Sequence, residues 1–193
     1  VYPKSQCILM STDKYFLQLV DDRVQVWSPT KKKFYGKETI KEEFSMESKN
    51  FLMYRVLTGD SSDNIPGIRG AGGKTLMKRL PLLFEDKKVK LENIFEYIKQ
   101  KNDGTKLASD ILNNRELLEL NYKLMQLEEV DISGRSKESI HNICSDNIPK
   151  LVKPNFMKML LEDSINMNIK NPELWLKDTF SSLNAFAIAG DNS

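Results

Sequence analysis

Only one histidine, two cysteines and two tryptophans occur among the 193 residues. No apolar run approaches the roughly 20 residues that span a bilayer. The lone His141 and the widely separated Cys7 and Cys144 show none of the spacing of a zinc centre, and cysteines used this way suit a reducing compartment. Neither sign of charge predominates: 29 Lys and Arg face 27 Asp and Glu, for a net charge of +2. So slight a basic balance admits a nucleic-acid partner without arguing for one, because what matters is where the charge sits. No secretory leader is legible either, and the expectation is a cytosolic protein. What remains is ordinary for a globular chain, 40% hydrophobic and 29% charged, enough for one domain or one domain plus a piece of a second.

The chain opens Val1-Tyr2-Pro3 rather than with methionine and reaches the apolar run Cys7-Ile8-Leu9-Met10 almost at once. A lone strand at a terminus needs strands to pair with, which sets the expectation that an N-terminal part is missing. Residues 7–12 read as a short buried strand, Lys14–Val20 as a helix, and Arg23–Ser28 as an alternating strand. "SPTKKKFYG" adds a turn and an exposed strand. This start predicts the tail of an α/β sheet. From Lys37 onward helix dominates, with spans predicted at Glu38–Phe44, Glu47–Leu57, Lys74–Leu82, Leu91–Lys101, Leu107–Asn113 and Arg115–Leu127. Val130–Ser136 reads as extended, Lys137–Cys144 and Asn155–Leu161 as short helices, and Asn184–Ser193 shows no pattern.

Glycine is scarce except in one place. The stretch "LTGDSSDNIPGIRGAGGKTL", residues 57–76, holds five of the nine glycines. Gly70-Ala71-Gly72 before a helix near Lys74 reads as a hairpin turn whose small residues let another backbone come close. Amides at a following helix start would favour a phosphate. Arg69, Lys74, Lys78 and Arg79 place charge around that turn, the logic of a helix-hairpin-helix that grips a nucleic-acid backbone without reading sequence. The run also resembles a nucleotide-binding phosphate loop, but the spacing from Gly67 to Gly73-Lys74-Thr75 misses by one residue and no hydrophobic strand precedes it. Asp60 and Asp63, three apart, place two carboxylates on one side of a turn. An isolated pair of this kind would read as a cap.

Taken together, "GDSSDNIPGIRGAGGKT" resembles the flap endonuclease and 5′-nuclease family, which includes polymerase-associated 5′-exonucleases and phage enzymes called phage RNase H. Upstream, "STDKYFLQL" is similar to the family's S-x-D-x-D-x-x-Q-L, and "VQVWSPTKKKF" looks most like the T-even phage versions. The likeness covers residues 7–80. It implies an α/β fold: the C-terminal portion of a PIN-like nuclease sheet in residues 1–50, then a mostly helical domain in 51–193 with a helix–three-turn–helix at about 57–82. It further implies a metal-dependent 5′-3′ exonuclease or flap endonuclease that removes RNA primers during DNA replication. Asp13, Asp60 and Asp63 would ligate Mg²⁺ or Mn²⁺, two ions per complete site, while Arg69, Gly70, Ala71, Gly72, Gly73, Lys74, Thr75 and Lys78 would hold the duplex, with K⁺ at the same motif. The partners implied are DNA with a 5′ flap or RNA primer, together with replication proteins, in a bacterial or phage-infected cytoplasm and with no membrane.

The departures from the family pattern are chemical. Where the motif wants a second Asp two residues after Asp13, this chain has Tyr15, a phenol of pKa about 10 that does not replace a carboxylate at neutral pH. The family's remaining acids lie upstream of anything here. The expectation is therefore a chain inactive alone, with a DNA-binding module that has lost catalysis as the alternative. Gln18 and Leu19 complete the Q-L and should buttress the site. Asp21 and Asp22 read as a turn, Lys31–Lys33 and Lys87–Lys88 as solvated faces, Trp27 and Met157, Met159 and Met167 as packing, and His141 as a surface or packing residue.

Overall fold

The structure is a computed structural model that describes residues 4–129, 131–146, 151–165 and 169–190. Contacts divide the chain between Asp131 and Ile132 into two compact units.

The first unit begins with three short strands, β1 (Cys7–Met10), β2 (Val24–Ser28) and β3 (Lys33–Tyr35), in the order β1-β2-β3. β1 and β2 pair in parallel, with Leu9 opposite Val26, and β2 and β3 pair antiparallel, with Trp27 opposite Phe34. Period-two alternation sends Val26 and Tyr35 inward, while Ile8, Met10 and Phe34 stay exposed. The Trp27 and Phe34 rings meet at 4.6 Å across the strands. The crossover from β1 to β2 is a 3₁₀ helix, Lys14–Leu19, and its return turn is tied by Asp21, whose carboxylate accepts from the amides of Arg23 and Val24, both at 2.7 Å. Lys31 and Lys33 converge on Glu43 at 3.2 and 2.8 Å, so these two charges of the basic run are spent locally.

Six helices complete the unit: α1 (Lys37–Phe44), α2 (Ser48–Thr58), α3 (Gly73–Arg79), α4 (Leu91–Lys101), α5 (Lys106–Asn113) and α6 (Arg115–Met125). The helix expected over Lys74–Leu82 breaks at Leu80, because Pro81 disfavours α geometry in the residue before it; a 3₁₀ turn, Pro81–Phe84, follows. Two apolar clusters meet on α2. Leu17, Val20, Val26, Tyr35, Ile40 and Met46 gather around Phe51 under the sheet. Met53, Val56 and Leu57 join Leu76, Ile94 and Leu118 among the helices. Asn50, fully buried between them, shares its two N–H groups among the carbonyl oxygens of Leu83, Glu85 and Lys87, at 3.2, 3.2 and 2.9 Å from its nitrogen, and accepts from the Val89 amide, so one side chain braces a whole irregular segment.

The second unit holds α7 (Gly134–Ser145), α8 (Lys153–Glu162) and α9 (Pro172–Gly190). Helix α7 starts at Gly134, inside the stretch expected to be extended, because Ser133 caps it by accepting from the Ser136 amide. Helix α9 enters the stretch from Asn184 where no pattern was legible and extends to Gly190, and Trp175 stacks on Phe156 at 5.8 Å. Met159 is exposed rather than core-filling and Met157 is half-buried, Leu160 taking the buried position of α8; Met167 lies outside the described residues. His141 is exposed. Among the described residues no helix is long and apolar enough to cross a membrane.

Candidate functional site

Helix α2 ends at Thr58, and Gly59 takes over with φ of 72°, a conformation glycine adopts at little steric cost. A Cβ there would lie 2.3 Å from the Gly67 nitrogen, and one on Gly67 would lie 2.2 Å from the Thr58 carbonyl. The two glycines thus let the stems of a loop touch backbone to backbone. Beyond that neck, Asp60 and Ile65 exchange both amide hydrogen bonds at 2.8 Å, forming a small hairpin that carries Asp60 and Asp63.

Asp13, Asp60 and Asp63 line one cleft of about 640 Å³, shared with Lys14, Tyr54 and Arg55. Asp13 enters it from the end of β1, as the residue that caps the 3₁₀ helix by accepting from the Tyr15 amide at 2.8 Å. Asp13 and Asp63 are exposed. Asp60 is not: its side chain is 15% accessible and is paired with the guanidinium of Arg55. Partial burial pushes the Asp60 carboxyl up, but the hydrogen bonds from the Ser62 hydroxyl and amide, with the Arg55 charge, outweigh it and hold the group down at about 2. Tyr15 adjoins this pair. Burial first, then its interaction with the Asp60 carboxylate, pushes its phenol up to about 12. The Arg55 guanidinium lies 5.6 Å from the centre of the Tyr15 ring. Among the described residues, the Tyr15 hydroxyl and Arg55 Nε are buried without a partner of hydrogen-bonding geometry. Gln18 braces the helix below, donating to the carbonyls of Tyr15 at 2.9 Å and Met125 at 3.0 Å and accepting from the Leu127 amide at 3.1 Å.

A pair of hard divalent ions needs several oxygen ligands converging on two points. Among the described residues, no group of three or more His, Cys, Asp or Glu is placed to hold a metal ion. Asp60 already neutralises Arg55, and Tyr15 offers a phenol that keeps its proton. The three aspartates share a cleft without converging, so the residues present do not by themselves fit a two-ion centre.

The neighbouring turn has the opposite character. The Ile68 amide bonds back to Leu57 O at 2.8 Å, the Ala71 amide closes the turn onto Ile68 O at 3.0 Å, and Gly70 sits at φ of 82°. Ala71 is buried and anchors the turn. Added Cβ atoms on Gly70 or Gly72 would meet nothing within 4 Å, so this face is open. Gly73, the first residue of α3, lies against Tyr54, a residue that also lines the acid cleft. Arg69, Lys74, Thr75 and Lys78 are exposed, and among the described residues Arg69, Lys74 and Lys78 have no ion-pair partner. Arg79, read from sequence as part of the charged surround, turns instead to Asp103 at 3.7 Å.

Sequence reasoning missed Arg55, Ser62 and Tyr54 as members of the cleft. Arg55 carried a usable signal, being a cation in the last turn of a helix that ends just before an acid. Asn121, a lone amide in an otherwise amphipathic helix, was also missed.

A family model described as "5′-3′ exonuclease, C-terminal SAM fold" matches residues 46–142. The flap endonuclease Xni of Shewanella piezotolerans is 32% identical over 123 residues, covering 64% of this chain and 46% of that protein. The thermostable DNA polymerase I of Thermus thermophilus is 33% identical over 133 residues, covering 65% of this chain and 16% of that one. Among solved structures, a T5 5′-exonuclease mutant matches with a TM-score of 0.53 at 24% identity, covering 63% of this chain and 47% of that one, which shows a shared fold. A T5 protein co-crystallised with metal ions gives the same TM-score at 23% identity, covering 63% and 44%. The chain spans about half the length of the Xni relative and of the T5 structures it matches.

Proposed function

Because the chain belongs to the 5′-3′ exonuclease family through its C-terminal SAM-fold part, we propose that it serves a structure-specific 5′-nuclease acting on DNA with a 5′ flap or RNA primer. The observation that carries this reading is the juxtaposition along a single stretch: an acid-lined cleft at Asp60–Asp63 followed at once by an open turn whose cations are unspent. In this assignment Arg69, Lys74 and Lys78 meet phosphates of the duplex, Gly70, Gly72 and Gly73 let its backbone approach, Thr75 offers a hydroxyl, and Ala71, expected from sequence to touch the duplex, instead holds the turn from the buried side. K⁺ at the same turn belongs to the proposal. Asp13, Asp60 and Asp63 form the metal-facing wall for Mg²⁺ or Mn²⁺. A complete site of two ions takes further carboxylates, so hydrolysis belongs to the assembled nuclease and this stretch alone binds without cutting.

The functional division we assign is 1–50 for the nuclease sheet and 51–193 for the helical, duplex-gripping part. The passage from one apolar cluster to the other on α2, between Phe51 and Met53, supports it. Replication proteins as partners and a bacterial or phage-infected cytoplasm as the setting follow from the same reading.

A second reading, a duplex-binding module without catalysis, is favoured by Tyr15 and by the Arg55–Asp60 pair. The two separate in one experiment. Binding and cleavage of a 5′-flap duplex are measured in Mg²⁺ and in Mn²⁺ for the natural full-length protein, alongside Asp60→Asn and Tyr15→Asp. Cleavage that Asp60→Asn abolishes supports the nuclease. Binding without cleavage supports the second reading, and Tyr15→Asp should then restore some activity. Loss of neither binding nor cleavage in any variant sinks both.

A further inference from the structure

Helix α6 contributes a single fully buried polar side chain, Asn121, at 1% exposure. Its amide NH₂ donates to the carbonyl of Val56 at 3.2 Å and to that of Pro66 at 2.8 Å. Both acceptors matter by position. Val56 lies in the last turn of α2, where carbonyls have no intrahelical donor. Pro66 ends the small hairpin, and its carbonyl lies just before the glycine neck. Between Val56 and Pro66 lie Gly59, Asp60 and Asp63, and two residues after Pro66 the Ile68 amide bonds to Leu57.

The side-chain ties of Arg55 and Ser62 to Asp60 hold one end of this loop and not its two stems together, and stems joined only by backbone amides can open locally at little cost. This neck has glycine on both sides, which permits close approach but supplies no side chain to lock it. Among the described residues, the one side chain that bonds the stem before the acids and the stem after them comes from α6, more than fifty residues away in sequence. The amide has two N–H groups, and the two carbonyls take both.

We propose that Asn121 is a positioning residue: it clamps both stems of the acid-bearing loop and thereby fixes the spacing between Asp60 and the Gly70 turn. Its functional consequence rests on the reading of that turn as a duplex-binding element, but the clamp itself does not.

The test uses Asn121→Leu, which keeps the volume and removes both donors, and Asn121→Ser, which keeps one shorter donor. Amide hydrogen exchange is read at Asp60, Ile65 and Ile68, whose N–H groups bond within and beneath the loop, with Ile94 and Ile98 in α4 as controls. In Asn121→Leu the three loop amides should exchange at least about tenfold faster, with the α4 amides within about twofold of the parent, as expected for local opening. Asn121→Ser should fall between, and carries the test alone if the leucine variant does not fold. Duplex affinity should drop roughly fivefold with the salt dependence unchanged, because the cations are untouched. Uniform acceleration at all five amides would mean Asn121 merely stabilises the fold, and no acceleration at the loop would remove the clamp; either overturns the proposal. If the parent binds no duplex while the loop amides respond as stated, the clamp stands and the duplex reading fails.

Discussion

The acid hairpin and the glycine turn are neighbours in sequence yet spend their polar groups in opposite directions. In the hairpin, Asp60 is met by Arg55 and Ser62, its backbone pairs with Ile65, and the neck is closed by backbone contact between Gly59, Gly67 and Thr58. In the turn, Gly70 and Gly72 face open space, and among the described residues Arg69, Lys74 and Lys78 have no ion-pair partner. The same residue type, glycine, serves contact within the protein in one place and faces open space in the other. Groups paired within the protein contribute to folding, whereas exposed cations paired only with water can be removed at little cost, so substitutions in the two regions should separate stability from the proposed binding.

The largest effect is expected at the neck. Gly67→Ala drives a Cβ to within 2.2 Å of the Thr58 carbonyl, a backbone atom that cannot swing away. We expect a loss of about 3 kcal/mol in a urea titration, whereas Gly72→Ala, with nothing within 4 Å, should unfold with the parent. Equal losses at the two glycines would erase the distinction between closed neck and open turn.

Next is the ion pair. Arg55→Met leaves Asp60 partly buried without its cation, and the expected cost is about 2 kcal/mol near neutral pH. The acid side has a defined sign. Asp60 is held down at about 2, below the ordinary 3.8, so its stabilisation is fully present above pH ~4 and fades as pH falls towards ~2. Asp60→Asn should flatten the stability profile in that window. A profile identical to the parent's between those limits would show that the ionised Asp60, with its Ser62 hydrogen bonds and its Arg55 partner, contributes nothing to folding.

These regions were not equally legible in sequence. The glycine turn was readable because steric permission at Gly70 and exposed cations along Arg69–Lys78 are local properties of the chain. The helices at Leu91–Lys101 and Arg115–Met125 were readable because their apolar spacing is strong. Asp60 and Asp63 stood out as acids, but Arg55 as the partner of Asp60 did not, since pairing depends on how α2 ends and the hairpin folds back. Asn50 and Asn121 were invisible for a related reason: each satisfies carbonyls tens of residues away, and nothing in local sequence marks where those carbonyls will be. The tail helix α9 was missed because its apolar residues do not fall on one clear face.

A smaller effect is expected at Gly70. Its φ of 82° disfavours any side chain, although none would clash. Gly70→Ala should therefore cost about 1 kcal/mol through backbone conformation alone, roughly a third of the loss at Gly67. If the two losses match, crowding at the neck is not what distinguishes them.

The smallest expected effect on folding is at Lys74 and Lys78, and it is the one that bears most on binding. Both side chains are exposed and, among the described residues, neither has an ion-pair partner, so neutralising either removes no internal contact. Lys74→Ala and Lys78→Ala should each unfold at the parent's urea midpoint. If each meets one phosphate, each should lower duplex affinity evenly across sequences and reduce the slope of log affinity against log salt by about 1. Lys33→Ala is the matched control, because its charge is already engaged by Glu43 at 2.8 Å; it should leave the salt slope unchanged. A slope that drops for Lys33 and not for Lys74 or Lys78 would move the duplex from the glycine turn to the edge of the sheet.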